Sequence, residues 1–106
     1  MNNHKLDMMT KGWFIGAFSP SAFKTDVCEV AIKFYSQGES EPTHYHKIAN
    51  EVTAVVFGKI LMCNNIYSKG DIISLSPGER TSFYALEESC TVVVKLPGAL
   101  NDKYAD

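Results

Sequence analysis

Two imidazoles and a carboxylate lie within eight positions of this chain: His44, His46 and Glu51. These are donor types that hold a first-row transition metal. On a strand, residues i and i+2 project to one side about 6–7 Å apart, so His44 and His46 can lean onto one ion while Tyr45 faces away. Lys47 to Asn50 supply enough chain for a reversal that returns Glu51 at the head of the next strand, beside the pair. A two-histidine, one-carboxylate set suits Fe(II), Mn or Ni with open positions, or Zn in a His2Glu arrangement. An isolated His-x-His is also what a solvent-facing strand can show. Burying these groups together without an ion or hydrogen-bond partners would be costly, which favours a ligand among them or a hydrogen-bonded polar pocket.

The elements that must position them are short strands. Segments rich in β-branched and aromatic residues run over 13–18, 27–35, 43–46, 52–57, 59–63, 71–75, 81–84 and 91–96. Between them stand the turn signals Gly38, Gly58, Asn64-Asn65, Lys69-Gly70 and Pro77-Gly78. The Asn64-Asn65 pair reads as a two-residue hairpin turn. In 27–35 the alternation of Cys28, Val30, Ile32 and Phe34 against Glu29 and Lys33 predicts a buried face carrying the former set. No stretch sustains a helical stripe beyond three turns. An all-β chain of this size hides its strand edges by closing into a small barrel or jelly roll. The expected organisation is a flexible N-terminal arm (1–10), one barrel domain (11–98) and a C-terminal tail (99–106).

Composition narrows the function. In 106 residues there is room for one core, and 45% hydrophobic against 21% charged residues is the balance of a folded chain rather than a disordered one. A net charge of −2 without a basic block argues against nucleic acid or an anionic membrane as partner. The longest apolar runs, 54–57 and 60–63, are far shorter than the roughly 20 residues of a membrane span. The polar start lacks a secretory signal, so a cytoplasmic location is expected. Cys28, Cys63 and Cys90 form no CxxC pair and are odd in number, which predicts reduced thiols packed within strands.

The spacing Gly38, His44, His46, Glu51, Gly58 reproduces GxxxxxHxHxxxxExxxxxxG, and 70–83 follows loosely the pattern GDxxxxxPxGxxH through Gly70-Asp71, Pro77 and Gly78. In both halves the sequence resembles the cupin superfamily. The resemblance implies a small jelly-roll barrel whose interior holds a divalent transition metal (Fe, Mn, Ni or Zn) on His44, His46 and Glu51. It departs from the pattern at Thr81, which stands where cupins usually carry the remaining histidine. A threonine hydroxyl is a poor ligand, so a weakly held ion with an open position is expected, with Thr81 either lining the pocket or serving as a β-former.

Two functions follow from that resemblance. One is metal-dependent chemistry, of dioxygenase or isomerase type, on a small hydroxy, oxo or sugar-like compound. The other is a non-catalytic barrel that binds a small carbohydrate-type ligand over a degenerate metal site. Arg80 and Glu79 read as a solvated turn, with Arg80 alternatively meeting an anionic substrate at the mouth, and Trp13, Phe14 and Phe18 as core or dimer interface. A homodimer is expected, with the strand at 13–18 covering a partner's sheet edge.

Overall fold

In the computed structural model, which describes residues 1–105, a 3-10 turn at Leu6–Met8 precedes the strands β1 (Trp13–Ile15), β2 (Glu29–Tyr35), β3 (Ser40–Tyr45), β4 (Asn50–Phe57) and β5 (Lys59–Met62). The chain continues through β6 (Asn65–Ser68), β7 (Ile72–Leu75), β8 (Thr81–Ala85), β9 (Ser89–Leu96) and β10 (Tyr104–Ala105). They form two five-stranded sheets, β1-β2-β9-β4-β7 and β10-β3-β8-β5-β6, paired antiparallel throughout. Apart from the pairs β1–β2 and β5–β6, successive strands cross between sheets, which is how a jelly roll closes on itself. Among the described residues no helix is long and apolar enough to cross a membrane.

Gly58 makes the crossover from β4 to β5. Its φ of +91° is open to glycine at little cost, and a Cβ there would sit 2.1 Å from the Ser89 hydroxyl oxygen and 2.4 Å from the Glu88 carbonyl. The floor of the barrel is an apolar cluster of Val55, Ile60, Met62, Leu75, Phe83 and Ala85, with Tyr35, Tyr67 and Ile73 against it. Fully burying a side chain such as Ile60 contributes about 1.5–3 kcal/mol. The apolar floor leaves the opposite end of the barrel for polar groups.

Two sequence expectations are corrected. The hairpin between β5 and β6 turns on Cys63 and Asn64, both at positive φ (51° and 66°), one residue earlier than Asn64-Asn65. Cys63 is therefore an exposed turn residue rather than a strand residue, whereas Cys90 is buried in β9. The larger correction is the parity of β2. Lys33 and Tyr35 face the barrel cavity, and Phe34 on the other parity is 64% exposed. The apolar set Val30, Ile32 and Phe34 points outward because the barrel interior at this end is a polar-lined cavity. Leu6, Met9, Phe14 and Ala22 shelter Ile32 on the outside.

The C-terminal segment folds back onto the barrel. Glu29 accepts the Ala99 amide at 2.9 Å, Asp102 is buried, and β10 pairs with β3 through Tyr104–Tyr45 and Ala105–His44.

Candidate metal centre

A bulge aims the first histidine. Between Glu41 opposite Phe83 and His44 opposite Thr81, β3 spends three residues where β8 spends two. Pro42, which has no amide to give to a ladder, sits in that irregular stretch. The extra residue lets Glu41 and His44 face the same cavity, although three positions apart. His46 follows just past the end of β3, and the reversal through Ile48 and Ala49 carries the chain to the other sheet, where Glu51 is the second residue of β4. The three side chains thus come from both sheets at one end of the barrel.

All three are buried, at 8%, 5% and 8% exposure for His44, His46 and Glu51, and their donor atoms lie within 4.8 Å of one another. Each imidazole is oriented by a backbone carbonyl. His44 Nδ1 donates to Pro42 O at 3.1 Å, and His46 Nδ1 donates to Asp102 O at 2.6 Å. A carbonyl only accepts, so both Nδ1 atoms carry the proton. Both Nε2 atoms are left to face the cavity, the tautomer a metal-ligating histidine needs. His46 Nε2 stands 2.7 Å from Glu51 Oε2.

The electrostatics follow from these contacts. The hydrogen bond that His46 donates to the Glu51 carboxylate raises the His46 pKa above its ordinary value against the opposing effect of burial. Burial would raise that of Glu51, but the hydrogen bond and charge of His46 outweigh it and hold the carboxyl below the usual range. His44, with no carboxylate on its ring, is pushed down by burial. A proton shared by His46 and Glu51 is what a divalent cation would displace, since both are ligands only when deprotonated. Neutral Nε2 donors plus an anionic oxygen fit such a cation by chemistry as well as by proximity.

Thr81 lies directly across from His44 in the β3–β8 register and is 3% exposed, lining the cavity. Its hydroxyl donates to Ser82 O at 3.0 Å and lies 3.4 Å from the Cys63 thiol. His4 is outside the barrel, beside Leu6 and Ile32. Arg80 stacks its guanidinium over Tyr45, 4.6 Å from the ring centroid. Trp13, on the edge strand β1, lines the cavity of about 260 Å³ in front of the triad, with the Lys33 and Lys95 ammonium groups 5.2 and 4.8 Å from its ring centroid.

Sequence reasoning missed Asp102. Its carboxylate accepts the amides of Lys47 (3.0 Å), Ile48 (3.1 Å) and Ala49 (2.9 Å), pinning the reversal between His46 and Glu51. Burial opposes its charge, but these three donors prevail and lower its pKa. Nothing local signals this role, because the contacts span more than fifty residues of chain.

No protein-family model matches the sequence, and no curated protein matches it significantly. Solved structures do match its shape. An uncharacterized conserved protein with a double-stranded β-helix domain from Klebsiella pneumoniae is 20% identical with a TM-score of 0.71, over 76% of this chain and 72% of that one. An RmlC-like cupin family protein with a double-stranded β-helix fold from Methanocaldococcus jannaschii is 17% identical with a TM-score of 0.64, over 70% and 73%. A sugar phosphate isomerase of the cupin superfamily from Silicibacter pomeroyi is 18% identical with a TM-score of 0.61, over 65% of this chain and 50% of that one. At these identities the likeness is one of fold, and the fold is the double-stranded β-helix of cupins.

Proposed function

We propose that this barrel, whose fold is that of the cupins, is a metal-dependent enzyme acting on a small polar hydroxy, oxo or sugar-like compound. In this reading His44, His46 and Glu51 hold a divalent transition metal at the inner end of the cavity. The observation that carries it is the pair of Nδ1 protons committed to Pro42 O and Asp102 O, which turns both Nε2 atoms toward the Glu51 carboxylate. The bound ion would supply Lewis-acid or oxygen-activating chemistry, the element deciding between isomerase and dioxygenase types. The chain's own part is to orient the ligands, to close the floor against water with Met62 and Phe83, and to present Glu41 and Tyr35 to the substrate. Tyr35 donates its phenolic proton to Glu41 at 3.3 Å, and burial beside that carboxylate pushes the phenol well above its ordinary value, so Tyr35 serves as a fixed hydrogen-bond donor and Glu41 is the group of the two that could take a proton from substrate.

A non-catalytic binding barrel is the second reading. It draws on one observation: the residue beside His44 is Thr81, whose hydroxyl proton is already given to Ser82. We also propose a homodimer, because Phe34 and Ile72 leave apolar surface exposed on the outer side of the first sheet, at 64% and 70%. Light scattering showing a monomer at micromolar concentration would overturn the dimer.

Elemental mass spectrometry tests the site. The protein purified without chelator is compared with the His44→Ala/His46→Ala double variant. Near-stoichiometric metal lost in the variant supports the enzyme reading. Equal and negligible metal in both, after incubation with Fe(II), Mn, Ni and Zn, leaves the binding barrel.

A further inference from the structure

The cavity into which the triad opens carries charge that the motif does not account for. Lys11, Lys33, Lys95 and Lys103 all line it, against the two carboxylates Glu41 and Glu51, in a chain whose net charge is −2. A positive pocket in an acidic protein is a local design rather than a by-product of composition. The lysines come from four separate places: the segment before β1, strands β2 and β9, and the returning C-terminal segment. Lys33 and Lys95 converge on the Trp13 ring. Burial is the main cause that lowers the Lys33 pKa; Glu41 opposes it, and the charges of Lys103, Lys95 and Lys11 add to the lowering, so the ammonium groups repel one another while Glu41 offsets part of that repulsion. Such repulsion is relieved by an anion among the ammonium groups.

A second observation points the same way. Thr91, opposite Lys33 in the β2–β9 register, also lines the cavity and is fully buried. Its hydroxyl is the buried side-chain oxygen that has no hydrogen-bond partner among the described residues. A buried hydroxyl without a partner is costly unless a ligand supplies one.

We propose that the substrate is a small organic anion, with its chelating oxygens toward His44, His46 and Glu51 and its negative charge held by Lys33 and Lys95 with the Thr91 hydroxyl. This rests on the metal reading for one end of the molecule and on the lysine wall for the other. A cavity of about 260 Å³ admits a compound of a few carbon atoms bearing carboxylate or phosphate. Neutral sugars and diols fit the metal end but leave the lysine end uncompensated.

The test is calorimetric titration of the full-length protein, metal-free and loaded with Mn(II) or Zn(II), with oxalate, malonate and inorganic phosphate as probes and malonamide as the neutral isostere of malonate. At least one anion is expected to bind, with malonamide at least about tenfold weaker than malonate where malonate binds. Lys33→Gln and Lys95→Gln are each expected to weaken anion binding about tenfold or more while metal affinity stays within about threefold. Two variants on different strands guard against a misfolded one, and thermal melting confirms that each is folded.

The two readings fail separately. Retained metal with malonamide binding as well as malonate, or with anion affinity unchanged in both variants, overturns the anionic substrate and leaves the metal site standing. Anion binding by metal-free protein that is lost in the lysine variants supports the anionic substrate even if no metal is retained. No binding of any of the three anions to either form overturns it.

Discussion

Removing the Asp102 carboxylate should damage both the stability of the protein and its hold on metal. The side chain gathers three amides of the 47–49 reversal, and its own carbonyl orients His46. In Asp102→Ala the amides of Lys47 and Ile48, on exposed residues, can turn to water, but Ala49 is only 1% exposed and its N–H is orphaned. Losing a charged acceptor and leaving one buried donor costs about 2–4 kcal/mol. In a chain of this size that lowers Tm by on the order of 10–25 °C. The loosened loop also lets the Asp102 carbonyl drift from His46 Nδ1, and disturbing such an orienting bond weakens metal binding about 10–100-fold.

The Asp102→Asn variant keeps one acceptor oxygen and should fall between wild type and Asp102→Ala. The sign in acid follows from the lowered pKa. The wild-type contribution of Asp102 is complete above its ordinary value of 3.8 and is lost as pH falls through the lowered folded value, a decline that Asp102→Ala cannot show. The assay is thermal melting with calorimetric metal titration on the three proteins. An Asp102→Ala protein that melts within about 2 °C of wild type and binds metal equally would refute the reasoning.

Further outcomes follow from the same geometry. Thr81→His places an imidazole beside His44 in the register and should raise metal affinity at least about tenfold, read by competition with a chelating dye; unchanged affinity would show that position 81 does not reach the ion. Gly58→Ala forces a Cβ into Ser89 and Glu88 at a φ of +91° and should cost clearly more in denaturant unfolding than Gly70→Ser, which at a φ of +92° bears only the backbone strain, about 1–2 kcal/mol, because its added atoms meet open space. In metal-free protein the His46 contribution is fully present below its ordinary 6.5 and lost as pH rises through its raised folded value. That of Glu51 is present above its ordinary 4.5 and lost as pH falls through its lowered one. The pair therefore stabilises most between about pH 4.5 and 6.5. Metal affinity should rise with pH through the raised His46 value, as the ion replaces the proton; a flat profile from pH 5 to 8 would speak against His46 as a ligand.

What could be read from sequence was what is local. His44, His46 and Glu51 lie within eight residues, so strand alternation and a short reversal predict that they come together, and the glycines that frame them belong to the family resemblance. The turn at 63–64 was displaced by a single residue because asparagine is the stronger turn signal, while here Cys63 also accepts positive φ. Strand β10 and Asp102 could not be read, since a two-residue strand has no period and the partner amides of Asp102 lie at 47–49.

The reversed parity of β2 explains why the substrate end of the site was hidden. Period-two reasoning assumes that the apolar face of a strand is the inside face. That holds for a barrel filled with side chains, and it holds at the floor, where Ile60 and Met62 of β5 point inward. A barrel that keeps its interior for polar ligands inverts the rule along the cavity. Lys33 and Tyr35 then occupy the inner face, and Val30, Ile32 and Phe34 face outward for the N-terminal segment to cover in part. On β9 the same inversion brings Thr91 and Lys95 to the cavity beside Val93. Lys33, which read as part of the polar outer face, thereby lines the cavity into which the triad opens. An amphipathic strand in such a fold marks two possible interiors, and a nearby ligand motif decides between them.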